Sequence, residues 1–442
     1  VRGYPRELVV LALVAATALA FVIGDGWQDV SRLGLTQSVA FRGALDIDPY
    51  ADQTGDRAHY GGHTYSDKAP GMAFLALPAL GVLRVVGAAG EEQERRGVWH
   101  WPRLLWLVRI ASGGIAFLAA VFLVGRIAER LRPGFGAATA ATLGLGTLAL
   151  PLAATMFGHL AAGTLALGGF ALAWFGGRRG WTLAAAGGLC GLGVLFEYQT
   201  AAAAAATLVY VVHRTRDPRA VAAFLAGAVP PALLLGAYDW AAFGSPLRLS
   251  YRYVDEQFIA QQREGLFGIG VPTLHGLRQL VVGRHGLLVE TPVLAFAAAG
   301  LGLLWRRGLR AEAAVCAFVT LAFTAITAGF FDPYGGLSPG PRYFVPALPF
   351  LCLGLAEAFA RWPRATTLAA LYSSAAMLLN AGTWWRGPDF RTVWSLAGAP
   401  RNAGIALVVA PALAAVTLAL RPALRPRAPA TPAPPNRRTP DP

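Results

Sequence analysis

The sequence predicts an all-α polytopic membrane protein with about twelve transmembrane helices of ~20 residues each. Three observations carry this. Of 442 residues, 55% are hydrophobic and 14% are charged, against roughly 25% charged in an average soluble domain. Mean hydropathy is +0.48. The apolar residues gather into runs of bilayer-spanning length, divided by short loops that hold most of the arginines. A water-soluble globular chain and a disordered chain are both excluded.

The first run, residues 7–24, follows Arg2 and Arg6. Its Ala18-x-Ala20 pattern has a signal-peptide look, but we expect it to stay attached, because acidic residues of interest follow at once. Further runs centre on 103–125, 134–150, 157–175, 181–196, 199–213, 220–243, 285–304, 311–330, 343–360, 365–384 and 403–420. Residues 71–87 are apolar but short, and contain Pro78 and Arg84. Counting them as a span would invert every later loop, so they read as an interfacial or re-entrant helix. One domain is thus expected over 1–420. The Pro-, Ala- and Arg-rich segment 421–442 reads as a disordered cytoplasmic tail.

The net charge of +14 reflects topology rather than nucleic-acid binding. Arg126, Arg130, Arg132, Arg178, Arg179, Arg214, Arg216, Arg219, Arg306, Arg307, Arg310, Arg361 and Arg364 fall in loops on one side, with both termini. By the positive-inside rule that side is cytoplasmic. The other side receives the long segments 25–100 and 244–284 and the shorter 331–342 and 385–402. Most acidic residues lie there, among them Asp25, Asp29, Asp67, Glu91, Asp255, Asp332 and Asp389. The expectation is a multi-pass protein of the cytoplasmic membrane with its active site facing outside. Cys190, Cys316 and Cys352 lie inside apolar runs without metal-ligand spacing, and read as small buried residues.

The segment DGWQDVSRLGLTQSVAFRGALDIDPYADQTGDRAHYGGHTYSDKAPG carries the densest polar chemistry, including His63. Asp25 and Asp29 are four apart and would share one face of a continued helix. A carboxylate at the membrane surface can act as a general base; it is equally a loop or cap residue. Arg32 would fall on the same face as Asp29. Lys68 is the only lysine beside 37 arginines, so this position calls for an ammonium rather than a generic positive charge. Ser66 or Asp67 is positioned to cap a following helix, with Pro70 in its first turn. Backbone N–H groups at a helix start plus an ammonium make a phosphate site. Further ionisable residues sit at outer ends of runs: His159, Glu197 with Tyr198, Arg284 with His285, Glu290, and Asp332, Arg342 and Tyr343 from FDPYGGLSPGPRY. Such groups are costly at this depth and mark sites or anchors. No zinc motif, P-loop, serine elbow or dinucleotide fingerprint is present.

These residues resemble the polytopic glycosyltransferases of the GT-C fold. The resemblance is to the family 39-like branch holding lipid A aminoarabinose transferases and protein O-mannosyltransferases. It rests on Asp29-Val30-Ser31-Arg32 after the first run, on Asp67-Lys68-Ala69-Pro70 ending the same loop, and on the segments FGSP and GPRYFVPALPF. Val30 replaces the second acid of the family's Asp-Glu, and Ala69 the first proline of its Lys-Pro-Pro.

The resemblance implies an inverting transfer of sugar from a polyprenyl-phosphate donor to a hydroxyl of a glycan, lipid or protein. It makes Asp29 the base and Lys68 the holder of the lipid phosphate, with Arg342 or Arg284 as further cations, and implies no cofactor or divalent metal. A lipid or polysaccharide transporter is the alternative class. It would place charges near the midplane and show paired halves, whereas here they gather at outer ends. A polymerase or ligase without a lipid-monophosphate monosaccharide donor is the third.

Overall fold

The computed structural model describes residues 4–384 and 390–424. Asp389 and the tail beyond Leu424 lie outside the described residues. Each apolar run overlies helix, beginning with Tyr4–Ala18. Among the described residues, four helices are long and apolar enough to cross a membrane: Pro102–Leu131, Pro218–Phe243, Arg310–Gly329 and Arg401–Arg421. Two bent pairs, Leu274–Glu290 with Val293–Arg306 (92°) and Arg342–Leu351 with Gly354–Arg361 (61°), bring the number to six if each is one span. The first bend falls at Thr291-Pro292 and the second follows Pro346 and Pro349. Proline removes a backbone donor and crowds the preceding turn, so apolar runs there do not yield straight helices. Other runs give shorter helices, such as Gly136–Leu145, His159–Phe175 and Gly180–Phe196. The last helix runs on to Leu424, past the expected start of the tail.

In lipid, helices gain little by burying apolar surface against one another, so close backbone approach matters more. Gly180–Phe196 and Pro218–Phe243 pack this way. A Cβ on Gly187 would collide with the Phe224 carbonyl, and one on Gly227 with that of Ala184. The opposite flank of Pro218–Phe243 leaves Leu225, Val229, Leu233 and Trp240 exposed. The arginine-bearing loops meet in space at one end of the bundle. Glu357 pairs with both Arg132 (2.7 Å) and Arg307, and Arg307 also donates to the Leu131 carbonyl. Arg214 pairs with Glu312, and Arg178 donates to the Arg214 carbonyl.

Segment 25–100 is folded and has its own core. Val30, Leu33 and Leu35 pack with Met72, Ala76, Leu80, Trp99 and Val108, and with Tyr238 and Phe243 from the end of a long helix. Helix Gly71–Val85 lies against helix Trp27–Gln37, nearly all of which is buried. Its far end exposes Val82, Val85 and Val86.

The all-α expectation needs one correction here. Arg57–Tyr60 (β1) pairs antiparallel with His63–Ser66 (β2). Gly61 and Gly62 turn between them at φ 61° and 84°. Two successive left-handed residues are what a two-residue hairpin requires, and glycine supplies them without a Cβ clash.

Candidate functional site

Helix Trp27–Gln37 starts at Gly26, so Asp25 lies outside it and shares no helical face with Asp29. Asp29, at the third helical position, accepts weakly from the Gly26 N–H at 3.4 Å through Oδ2. Its Oδ1 is held by two donors, Arg109 Nε at 3.1 Å and the Met156 N–H at 2.9 Å. Arg109 also donates to the carbonyls of Ile23 (2.6 Å) and Gly24 (3.1 Å), tying the chain's first bend to helix Pro102–Arg109. Immediately after Arg109 that helix widens into a π-turn, Ile110–Gly114. Arg32 is not the partner of Asp29. It lies one turn on and pairs with Glu197 at 2.7 Å, with Gln28 as a second acceptor. Because Asp29 sits near the helix start, Arg109 from a neighbouring helix reaches it first, and Arg32 faces the Glu197 turn instead.

Lys68 follows β2. Neither Ser66 nor Asp67 caps the next helix, whose N-cap is Pro70; the Lys68 N–H instead donates to Ser66 Oγ at 3.3 Å. The ammonium lies 2.8 Å from Asp67 and 3.3 Å from Asp56. Burial pushes Asp67 up to about 6, although Lys68 pulls the other way. Burial also opposes the Lys68 charge, but the two carboxylates outweigh it and hold its pKa above the usual value. Gly71 brings this segment against the Glu197 turn: a Cβ there would press into Phe196 and the Leu195 carbonyl. Gly158 does the same from the other side, where a Cβ would lie 2.8 Å from Glu197 Oε1.

A cavity of about 680 Å³ joins these elements. Its polar part is lined by Asp25, Asp29, Asp56, Asp67, Lys68 and Arg342; its apolar part by Trp27, Phe157, Phe258, Phe330, Phe331 and Trp384. Asp332 also lines it, with its carboxylate accepting from the Tyr334 and Gly336 backbone. Arg342 is only 8% exposed. Its guanidinium lies over the rings of Phe157 and Tyr343, 5.2 Å from each centroid. Among the described residues its one hydrogen bond is to Tyr343 Oη at 3.3 Å, and its buried Nε has no partner. Among the described residues no carboxylate lies within ion-pairing reach of it.

A side pocket of about 210 Å³ opens beside Lys68, lined by Arg32, His159, Glu197, Tyr198 and Tyr343 among others. His159 Nδ1 lies 3.3 Å from Glu197 Oε1.

Two candidates stand apart. Arg284 is exposed and lines neither cavity. The following residue, His285, is instead 2.7 Å from Glu290, which in turn accepts from Asn380. His63 is exposed on the hairpin and 2.7 Å from Asp48. That contact raises the His63 pKa. Asp48 is held below its usual value: burial raises it, but His63 and the Thr64 N–H outweigh burial.

Sequence reasoning missed Asp56, Gln28, Arg109 and Gln262. Arg109 had a signal, as a lone charge inside an apolar run. Asp56 had none, being one of several loop carboxylates.

No protein-family model matches the chain, and no curated protein does. Solved structures do. ArnT from Cupriavidus metallidurans bound to undecaprenyl phosphate matches with TM-score 0.51 and 16% identity, over 94% of this chain and 76% of that one. The apo state of ArnT gives 0.50 and 16%, over 95% and 76%. AglB from Archaeoglobus fulgidus, an archaeal oligosaccharyltransferase in complex with an inhibitory peptide and a dolichol-phosphate, gives 0.45 and 15%, over 94% and 56%. The likeness to ArnT shows the fold. The chain is a multi-pass membrane protein with the GT-C fold.

Proposed function

We propose that the chain is an inverting glycosyltransferase that moves a sugar from a polyprenyl-phosphate donor to a hydroxyl acceptor at the outer face of the cytoplasmic membrane. The observation that carries this is Arg342, a buried guanidinium with no carboxylate within ion-pairing distance among the described residues, lining the same cavity as Lys68. Burying an unpaired charge costs several kcal/mol, and a fold retains one where an anion is to be bound. A phosphate between Lys68 and Arg342 meets both demands: charge for Arg342, and planar donors for its oxygens. The aromatic arm beside them suits the first isoprene units of a lipid. The ArnT of the same fold is seen bound to undecaprenyl phosphate.

In the reaction the acceptor oxygen attacks the anomeric carbon. The bond from that carbon to the phosphate oxygen breaks, and its electron pair leaves on the lipid phosphate. The acceptor proton passes to Asp29. Lys68 and Arg342 stabilise the charge that grows on the phosphate. Asp29 is preferred to Asp25 as base. Two donors fix its Oδ1 and leave Oδ2 weakly held, whereas Asp25 has no orienting partner among the described residues. A general base works from a fixed position.

The sidedness follows from the arginine loops, here taken as cytoplasmic, with twelve spans and segments 25–100 and 244–284 outside. A reporter fused after Arg179 or Arg307 is expected to read cytoplasmic and one inserted near Thr54 external. A cytoplasmic signal at Thr54 would place the cavity on the wrong side of the membrane. The activity itself is tested with purified protein and a panel of polyprenyl-phosphate monosaccharides. Release of free polyprenyl phosphate that depends on an acceptor is expected. Transmembrane movement of the intact lipid without cleavage would point to a transporter.

A further inference from the structure

We infer that the side pocket beside Lys68 holds the sugar of the donor, and that it is built for an uncharged monosaccharide rather than an amino sugar or a uronic acid. This rests on the proposed lipid-phosphate donor and names the sugar class that donor carries.

The position comes first. The side pocket and the main cavity share Lys68, Gln28, Gln262 and Tyr343. A phosphate at Lys68 therefore has the aromatic arm on one side for the lipid and the side pocket on the other. At about 210 Å³ the pocket accommodates a single sugar ring.

The chemistry comes second. Beside the Tyr198 hydroxyl, three further buried polar atoms on residues lining it have no partner among the described residues: Arg32 Nε, His159 Nε2 and Gln262 Oε1. Leaving one such group unsatisfied costs about 1–3 kcal/mol, so three around one small hollow mark a polar ligand. They offer a guanidinium donor, an amide acceptor and an imidazole nitrogen that donates or accepts. Glu197 adds an acceptor, since Arg32 and His159 both meet Oε1 and Oε2 has no partner among the described residues. Tyr251 and Phe267 also line it, their rings in a tilted contact with centroids 5.9 Å apart. Mixed donors and acceptors beside aromatic rings fit the hydroxyls and C–H faces of a sugar.

The charge comes third. The one carboxylate of the pocket is neutralised by Arg32 at 2.7 Å. Lys68 and Arg32 outnumber Glu197 on the lining and leave it net positive, which opposes an ammonium. A sugar carboxylate would bring a second carboxylate into a pocket of about 210 Å³ that Glu197 already lines. Hydroxyls alone meet no such conflict.

The test uses full-length protein in nanodiscs. Thermal shift and equilibrium binding are measured for bare polyprenyl phosphate and for the same lipid carrying mannose, galactose, 4-amino-4-deoxyarabinose or glucuronic acid. At least one neutral-sugar lipid should bind ten-fold or more tighter than the bare lipid, with both charged-sugar lipids weaker than it. His159→Ala should erase most of that ten-fold gain and leave the bare lipid within two-fold of wild type, and Gln262→Ala should erase most of the gain as well. Equal binding of bare and glycosylated lipid would overturn the pocket while leaving the donor proposal standing. So would a His159→Ala protein that weakens bare and glycosylated lipid alike. Preference for the amino sugar would overturn the assigned class. If neither bare nor glycosylated lipid binds, the donor proposal falls and the sugar pocket with it.

Discussion

Lys68→Ala is expected to abolish sugar transfer while the protein still inserts and folds. The ammonium is the point where Asp56, Asp67 and the cavity meet. Removing it leaves two carboxylates facing each other without a cation, which would ordinarily be severe for a buried group. Asp67 relieves that cost. Burial already raises its pKa, and losing Lys68 raises it further, which favours the protonated carboxyl over an uncompensated buried charge. The donor phosphate has no such escape. On the proposed reading it is then held by Arg342 alone, and the charge that grows on the departing phosphate is half-compensated. Lys68→Arg should recover only part of the rate, because a guanidinium is wider and bonds as a planar fork where a compact ammonium now fits between two carboxylates. The check is transfer rate beside expression level and melting temperature in detergent. Full activity in Lys68→Ala would reduce the lone lysine to a structural ion-pair partner.

Asp29→Asn should lower turnover by roughly 10²–10⁴-fold, the usual cost of losing a general base, with donor binding close to wild type. Asp29 also balances Arg109, which is buried and bound to the Ile23 and Gly24 carbonyls. The amide keeps an acceptor oxygen for Arg109 and the Met156 N–H but loses the charge, so a lower melting temperature is expected as well. Asp25→Asn separates the two effects. Asp25 lines the same cavity and has no ion pair among the described residues, so its loss should cost far less in either measure. Transfer, donor affinity and melting temperature are compared on both variants. An inactive Asp25→Asn beside an active Asp29→Asn would move the base to Asp25 and leave the fold untouched. An Asp29→Asn protein that loses donor binding together with turnover would make Asp29 a structural partner of Arg109.

Helix was legible along nearly the whole chain because apolar composition and run length are local properties, and they decide helix in a medium that cannot solvate backbone groups. The arginine loops were legible for the same reason, and they meet in space at Glu357 and Glu312. The lone lysine stood out by composition alone. What periodicity did not carry was the straightness of helices at Pro292, Pro346 and Pro349, or the hairpin at Gly61-Gly62. The second of these had a local turn signal among polar residues, but no alternating apolar pattern to mark its four-residue strands.

Pairing is where local inference stopped. Arg32 was expected beside Asp29, three positions away on one helix. Packing gave Arg32 to Glu197 and Asp29 to Arg109, residues 165 and 80 positions distant. Arg284 and Arg342 were equal candidates by residue type and outer-end position. The tertiary structure leaves Arg284 exposed and buries Arg342 over Phe157 and Tyr343. The sequence by itself therefore determined that this is a multi-helix membrane chain, which segments are apolar, and that Lys68 is singular; its GT-C character was a resemblance until the likeness to ArnT showed the fold. Only the tertiary structure decided which charges touch, because an ion pair depends on distances of 3–4 Å between groups on different elements, and helix-to-helix packing sets those distances.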